Sequence, residues 1–335
     1  NIQENYTRIT MYKAILLKDK ENDAEITSIN LNDLPSGDVT VQIEFSTINY
    51  KDSLAIVNKI PIIRKFPMVP GIDFVGKVLE SNSSKFSENQ KVILNGWGVG
   101  ESHWGGLSQI ARVNSDWLIP LPKDMSSKMA MEIGTAGFTA MLCLMSIESH
   151  GIKPSDGKIL VTGATGGVGS LSIALLSANG YEIIASSGKE NQNKYLRSLG
   201  ASEIINRNEL NTQHKALDQQ KWLAAIDTLG SKTLANICAT TKSGGAIAAC
   251  GMAQGMDLST TVAPFILRGI TLYGINSVNV PKDKRIIAWN RLSADLANNK
   301  LELMSNCYKL DEVTNIAQKI LRGEITGRCV IDVNS

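Results

Sequence analysis

Lys158-Ile159-Leu160-Val161-Thr162-Gly163-Ala164-Thr165-Gly166-Gly167-Val168-Gly169 joins an apolar, strand-forming run to a glycine-dense turn. The turn opens into Ser170-Leu171-Ser172-Ile173-Ala174-Leu175-Leu176, an apolar helical pattern. Strand, tight turn and helix start together build an anion site. The first N–H groups of a helix have no partner within it, and the helix dipole favours negative charge there. Glycines let the backbone approach a phosphate with no Cβ in the way. The spacing departs from the plain G-x-G-x-x-G. Ala164 takes the first glycine place, Gly166 and Gly169 take the other two, and Gly163 and Gly167 are additional. With a strand before it and a helix after it, the turn predicts a dinucleotide cofactor.

The next segment says which dinucleotide. Gly180 is placed to end the helix, and Tyr181-Glu182-Ile183-Ile184-Ala185 reads as a second strand. An NAD site usually carries Asp or Glu at this strand's end, bonding the ribose 2′-hydroxyl. Here Ser186-Ser187-Gly188-Lys189 follows instead. A carboxylate would repel a 2′-phosphate, whereas a hydroxyl and an ammonium would hold it. Two charge-assisted hydrogen bonds, each worth about 1.5–3 kcal/mol, would favour NADPH over NADH by about a hundredfold or more. The plainer reading of Lys189 is a solvated loop lysine, so the missing acid is the stronger half of the argument.

The 335 residues suggest about two domains, and the 43% hydrophobic content is enough for real cores. Net charge is +2, with no long charged block, so neither nucleic acid nor a membrane surface is expected as a partner. No apolar run in the sequence approaches the roughly 20 residues of a membrane span, and no signal peptide is visible. The polar residues before Met11 read as a flexible arm, or one foreign to the protein. The five cysteines, Cys143, Cys238, Cys250, Cys307 and Cys329, are scattered and odd in number. That pattern points to a reducing cytoplasm. No C-x-x-C occurs, and His103, His150 and His214 lie far apart. A structural zinc site is therefore not expected, although spacing alone says nothing about a catalytic zinc assembled from distant residues. His103 reads as a hydrogen-bonding loop residue.

From Tyr12 to about Pro122 the segments are short and β-like. Val39–Phe45 alternates with period two, and Phe74–Leu79 and Lys91–Leu94 are further strands between Pro, Gly and Asn turns. Between about 124 and 275 the pattern becomes β-α-β. Ala225–Asp227 and Ala246–Cys250 read as apolar strands, Pro264–Gly269 as a short capped helix and Ile270–Ile275 as a strand. Such alternation predicts a parallel sheet with helices on both faces. Helices are expected over about Asp283–Asn298 and Asp311–Leu321, and a last strand over Arg328–Val333. The fold class is α/β: a doubly wound Rossmann sheet at 124–277, and a β-rich module at 11–123 completed by 278–335. In that arrangement substrate would lie in a cleft between the domains.

Several strings resemble the medium-chain dehydrogenase/reductase superfamily, its zinc-free quinone oxidoreductase branch, and most specifically the bacterial acrylyl-CoA reductase subgroup. They are Asn49-Tyr50-Lys51-Asp52, Phe66–Phe74, Gly96-Trp97-Gly98-Val99-Gly100-Glu101-Ser102-His103-Trp104-Gly105-Gly106-Leu107, Ile133–Ala140, Thr162–Gly169 and Pro264–Arg268. The match runs from about Met11 to the C-terminus. The resemblance implies a GroES-like catalytic domain, an NADPH-binding Rossmann domain and a homodimer. Zinc-dependent relatives carry a cysteine ligand where this chain has Asn49-Tyr50, and Gly-His-Glu where it has Gly71-Ile72-Asp73, so no metal is expected. By similarity, Tyr50, Thr165, Gly166, Gly167, Val168, Ser187, Gly188, Lys189, Arg207, Met252, Ile266 and Ser277 would contact NADPH. Ser187, Lys189 and Arg207 would surround the 2′-phosphate, and Met252 to Ser277 would line the nicotinamide side. Relatives usually carry Arg at the place of Lys189; lysine keeps the charge and loses the fork.

The chemistry follows from the residue types. Without a zinc ligand set, a simple ketone has no strong Lewis acid to polarise it, whereas an activated alkene needs less help. Hydride adds at the β-carbon, charge develops on the carbonyl oxygen, and a proton reaches the α-carbon. Tyr50 is the candidate proton donor, with Asn49 a second polar group beside it; the alternative is that Tyr50 packs against the nicotinamide and holds its carboxamide. Asp52 is expected to bond nearby backbone, with no evident reason for a raised pKa. Lys59, Arg64 and Lys65 form a modest basic loop that would meet CoA phosphates or simply be solvated. The expected activity is NADPH-dependent reduction of acryloyl-CoA to propionyl-CoA. The alternatives are an NADPH:quinone reductase, whose cleft would prefer a flat, uncharged ring, and an NADPH-binding sensor or structural protein without turnover.

Overall fold

The computed structural model describes residues 10–58, 60–212 and 215–335. The N-terminal arm before Thr10, Lys59 and His214 lie outside the described residues. The chain divides into two compact units. One runs to Thr135 and takes up Val278–Ser293 and Leu301–Ser335; the other is Ala136–Ser277 with Ala294–Lys300.

The first unit opens with β1 (Met11–Leu16) and β2 (Glu25–Asn30), an antiparallel pair. Then come β3 (Val39–Thr47), α1 (Tyr50–Val57), β4 (Asp73–Ser81), β5 (Lys91–Asn95), β6 (Ile110–Val113), β7 (Ile119–Pro120) and the start of α2 (Ser127–Ser149). Helix α1 corrects the expectation of an all-β stretch up to Pro122. Its start is set by Asn49, in extended backbone, whose N–H donates to Asp52 Oδ2 at 2.8 Å. An acidic side chain reaching back from the first turn is half of a capping box.

The second unit carries β8 (Ile159–Val161), α3 (Gly167–Ala178), β9 (Ile183–Ser187), α4 (Asn193–Leu199), β10 (Glu203–Asn206), β11 (Trp222–Asp227), α5 (Ser231–Thr240), β12 (Thr241–Ala249), α6 (Ala263–Arg268) and β13 (Thr271–Gly274). Its six-stranded sheet has the order β10-β9-β8-β11-β12-β13, every neighbouring pair parallel. This is the doubly wound order, with the switch point between β8 and β11. Leu160, Ala225 and Ile247 sit in its core, which fits the near-continuous apolar reading of these strands. Gly180 ends α3 as expected: the N–H of Tyr181 donates to the Leu176 carbonyl and that of Gly180 to Ser177, a Schellman closure that needs positive φ, here 80°.

The chain then forms α7 (Lys282–Asp295), α8 (Asn298–Met304), β14 (Ser305–Lys309), α9 (Val313–Leu321) and β15 (Arg328–Asp332). The helix expected over about Asp283–Asn298 is α7; α8 is a further short helix that the sequence reading did not include. β14 and β15 extend the first unit's seven-stranded sheet, which runs β14-β15-β3-β4-β5-β7, with β6 pairing β3. β3 is its hub. One edge carries β4 along its length; the other is shared by β6 at Val39–Gln42 and β15 at Phe45–Thr47. Helix α9 packs on α1, and Ile56, Val313, Ile316 and Ala317 share one core with the sheet. A C-terminal segment thus completes the N-terminal module.

Helix α2 corrects a second expectation, that no apolar run nears a membrane span. Its 23 residues are long and apolar enough by length and composition, yet 89% of its most apolar window is buried inside the protein. Gly134, at φ 51° and ψ −158°, breaks it into two helices end to end. Glycine and threonine within the stretch mask its apolar character in the sequence. A Cβ on Gly134 would overlap the Arg328 guanidinium and crowd Asp73.

Candidate active site

The phosphate turn occupies the carboxyl end of β8, at the switch point. Gly163 adopts φ 55°, and a Cβ there would overlap Thr228 Oγ1. A Cβ on Gly169 would overlap the Gly163 carbonyl oxygen. Gly169 lets the start of α3 press against the turn that ends β8, and Gly163 lets the loop after β11 approach the same turn. Ser170 N–H makes the first helical bond, to the Gly166 carbonyl at 2.9 Å, so the N–H groups of Gly167, Val168 and Gly169 precede it. Gly166 is exposed, and Thr165, Gly167 and Val168 are partly so. Thr162 Oγ1 donates to Asp227 Oδ1 at 2.7 Å, and Thr228 Oγ1 donates to the Thr162 carbonyl at 3.1 Å. These bonds tie β8 to β11 directly behind the turn. Burial raises the Asp227 pKa. The cradle fits a nucleotide pyrophosphate: the N–H groups that start α3 have no helical partner and lie at the positive end of its dipole.

Ser187 ends β9, and its register partner on β10 is Asn206, so Arg207 follows beside it. A Cβ on Gly188 would overlap the Arg207 guanidinium, which therefore lies over the Gly188 backbone. Lys189 N–H donates to Ser187 Oγ at 3.1 Å. Arg207 is exposed and Lys189 half-buried. Ser187, Lys189 and Arg207 thus lie at the carboxyl ends of the neighbouring strands β9 and β10, a set of residue types that suits a phosphate. Met252 and Ser277 each follow the carboxyl end of a strand, β12 and β13. Met252 is 66% exposed and Ile266, on α6, 73%. The loops after β11 and β12 pack closely here: a Cβ on Gly251 would overlap the Thr228 carbonyl.

Tyr50 is the first residue of α1, 48% exposed. Beneath it lies a buried polar network that the sequence reading missed. Asn49 Nδ2 donates to Thr47 Oγ1 at 2.9 Å, Asp52 Oδ2 at 3.0 Å and Asp73 Oδ2 at 3.2 Å. Its Oδ1 accepts from Arg328 at 3.0 Å. Asn49 was expected as a second polar group beside Tyr50; both ends of its amide are hydrogen-bonded inside the protein. Asp52 does bond backbone, accepting from Asn49 N–H and from Ile72 N–H at 2.9 Å. Its pKa is nevertheless pushed up to about 7, first by burial and then by the neighbouring Asp73. That corrects the expectation of an ordinary carboxylate. Lys51 turns away, to Glu101 at 2.9 Å.

Asp73 accepts from Thr47 Oγ1 and from Thr135 N–H, the latter at 2.7 Å. It thereby caps the helix that restarts after Gly134. Across the sheet its register partner is Asn95, whose Oδ1 accepts from Trp289 Nε1 and whose carbonyl accepts from Arg285. Burial pushes Arg285 down to about 10. These residues do not fit a zinc ion. The set around Asn49 and Asp73 contains no cysteine or histidine, its carboxylate oxygens accept protein hydrogen bonds, and a guanidinium stands among them. Among the described residues, no group of three or more His, Cys, Asp and Glu could hold a metal. His103 bonds the Arg112 carbonyl at 2.8 Å and meets Trp117 edge-on. Arg64 and Lys65 are exposed.

The one sequence signal for the network was a lone arginine opening the apolar strand Arg328-Cys329-Val330-Ile331. Family models match stretches of both units. Residues 35–123 match the alcohol dehydrogenase GroES-like domain and residues 167–294 the zinc-binding dehydrogenase domain. The chain is similar to the probable acrylyl-CoA reductase of Escherichia coli (strain K12), 48% identical over 96% of this chain and 100% of the relative. It is also similar to the acrylyl-CoA reductase of Ruegeria pomeroyi, 45% identical over 97% of this chain and 100% of the relative. The crystal structure of Escherichia coli K-12 YhdH with bound NADPH superposes with a TM-score of 0.94 at 48% identity, covering 96% of this chain and 100% of that one.

Two outcomes follow from this geometry. Lys189→Glu puts a carboxylate into the basic edge; fluorescence titration is expected to show NADPH affinity reduced at least tenfold, with NADH affinity little changed. The second concerns Asp52. Its folded pKa of about 7 exceeds the ordinary 3.8, so the folded state binds its proton more tightly than the unfolded state. Stability from this group is present at low pH and is lost as pH rises from about 4 to about 7. Urea midpoints are expected to fall over that window in the wild type, and to fall less in Asp52→Asn.

Proposed function

The chain belongs to the zinc-free medium-chain dehydrogenases/reductases of acrylyl-CoA reductase type, and from that premise we propose that it reduces acryloyl-CoA to propionyl-CoA with NADPH. The observation that carries the reading is the pairing of a backbone pyrophosphate cradle with a cationic edge at Ser187, Lys189 and Arg207. When bound, the nicotinamide supplies a hydride to the substrate's β-carbon, and one solvent-derived proton completes the balance at the α-carbon.

This chain's residues hold and protonate. The N–H groups of Gly167 to Gly169 bind the pyrophosphate, supported by the helix dipole. Ser187, Lys189 and Arg207 bind the 2′-phosphate; Met252, Ile266 and Ser277 line the nicotinamide side. The Tyr50 hydroxyl gives its proton to the α-carbon and is refilled from solvent, which its half-exposed position supports. Exposed Arg64 and Lys65 meet the CoA phosphates. The working form is a homodimer. Its contact is supported by the outermost strand β13 and by the exposed Met256, Val262 and Leu267 near it, since an open edge beside apolar side chains favours a second chain. A reducing cytoplasm suits the five cysteines, all of them free.

NADPH consumption with acryloyl-CoA, crotonyl-CoA and a benzoquinone in parallel is expected to be fastest with acryloyl-CoA, and Tyr50→Phe to lower kcat by about 10²-fold. Turnover of the quinone alone contradicts the proposal. Light scattering is expected to give twice the 36.2 kDa chain mass. A monomer at micromolar concentration removes the dimer from the account.

A further inference from the structure

We propose that Arg328 is a positioning residue that fixes Tyr50 by holding the Asn49 amide. Four observations carry this. Arg328 is 2% exposed on the first residue of β15 and donates in three directions: Nη1 to Asn49 Oδ1 at 3.0 Å, Nε to the Glu132 carbonyl at 3.1 Å and Nη2 to the Met131 carbonyl at 3.5 Å. The two carbonyls belong to the last residues before the Gly134 break, so the guanidinium bridges β15, the first part of α2 and the residue preceding Tyr50.

Next, the amide it holds is the hub of the network. With Oδ1 turned to Arg328, Asn49 Nδ2 faces Thr47, Asp52 and Asp73. Were Oδ1 to turn the other way, it would face three acceptors. The guanidinium therefore selects one of the two amide orientations, and with it the bonds that hold the first turn of α1. Third, Arg328 is the cation that faces both buried carboxylates. The attraction of Asp73 and Asp52 opposes the effect of burial on its own proton affinity. Such a guanidinium makes three bonds in fixed directions while balancing charge, which a lysine ammonium on its flexible stem does not.

Finally, space around Arg328 is closed on the opposite side. A Cβ on Gly134 would overlap Nη2, and helix α9, in the same C-terminal segment, packs on α1. Tyr50 is thus placed by residues 279 positions away in sequence from its neighbour Asn49. Arg328 touches no reacting atom here; it acts through Asn49. The catalytic consequence rests on Tyr50 as proton donor, whereas the positioning itself does not.

The test separates the two. The protein is labelled with 3-fluorotyrosine, and the Tyr50 resonance is assigned by its loss in Tyr50→Phe. Arg328→Lys keeps the charge and loses the fork. Its Tyr50 fluorine resonance is expected to shift or broaden while the other tyrosine resonances stay in place. With acryloyl-CoA, kcat is expected to fall about tenfold or more while KM for NADPH stays within twofold, because small misplacements of a reacting group are costly. A Tyr50 resonance unchanged in Arg328→Lys overturns the proposal. Full activity in Tyr50→Phe with a shifted resonance in Arg328→Lys upholds the positioning and removes the donor role. If Arg328→Lys does not fold, Asn49→Ser cuts the same link from its other end, and an unmoved Tyr50 resonance there overturns the proposal equally.

Discussion

The approach of two backbone segments at Gly163 and Gly169 is the constraint on which the rest of the site depends. A Cβ on Gly169 would overlap the Gly163 carbonyl oxygen and one on Gly163 would overlap Thr228 Oγ1, so the start of α3 and the loop after β11 both sit against the end of β8 only because no side chain intervenes. That contact aims the N–H groups of Gly167, Val168 and Gly169 outward in one cluster, at the positive end of an apolar, buried helix. The bonds from Thr162 to Asp227 and from Thr228 back to the Thr162 carbonyl keep the ends of β8 and β11 from spreading at the switch point. Affinity for an anion there comes from geometry fixed at folding, so little ordering cost remains at binding.

The other unit solves a different problem, how to place a polar side chain at the start of a short helix. It does so with buried charge. Asp52 and Asp73 are withdrawn from water, and a buried ion pair is a weak source of net stability because desolvation offsets the attraction. Its return is orientation. Each carboxylate oxygen accepts from a defined donor: Asp52 from the N–H groups of Asn49 and Ile72, Asp73 from the Thr47 hydroxyl and the Thr135 N–H, so the starts of α1 and of the helix after Gly134 are both held. The raised pKa of Asp52 is the visible cost of this arrangement.

How far the sequence foretold this depended on the range of the interactions. The phosphate turn was legible because glycine chemistry is local: Gly163, Gly166 and Gly169 lie within seven residues of one another. The basic edge was legible because the absent acid occurs at a fixed place after the second strand. Helix α1 was not, since Asp52 read only as a carboxylate bonding nearby backbone, with no local sign of its burial or of Asp73 beside it. Helix α2 was hidden by glycines and threonines that the fold uses at the break and in close packing. Arg328 looked like the polar start of a strand. Its partners are Asn49, Met131 and Glu132, and no periodicity links positions so far apart. Asn49 was noticed for its neighbour Tyr50, while its bonds to Asp73 and Arg328 depend on strands far away in sequence.

The backbone cradle after β8 and the Ser187, Lys189 and Arg207 edge support the proposal of a reductase whose selectivity for its coenzyme is electrostatic. Isothermal titration of the purified protein with NADPH and NADH, at equal ionic strength, tests that claim most directly. The account predicts tighter binding of NADPH by about a hundredfold, the worth of two charge-assisted hydrogen bonds. Equal affinities for the two coenzymes would contradict it.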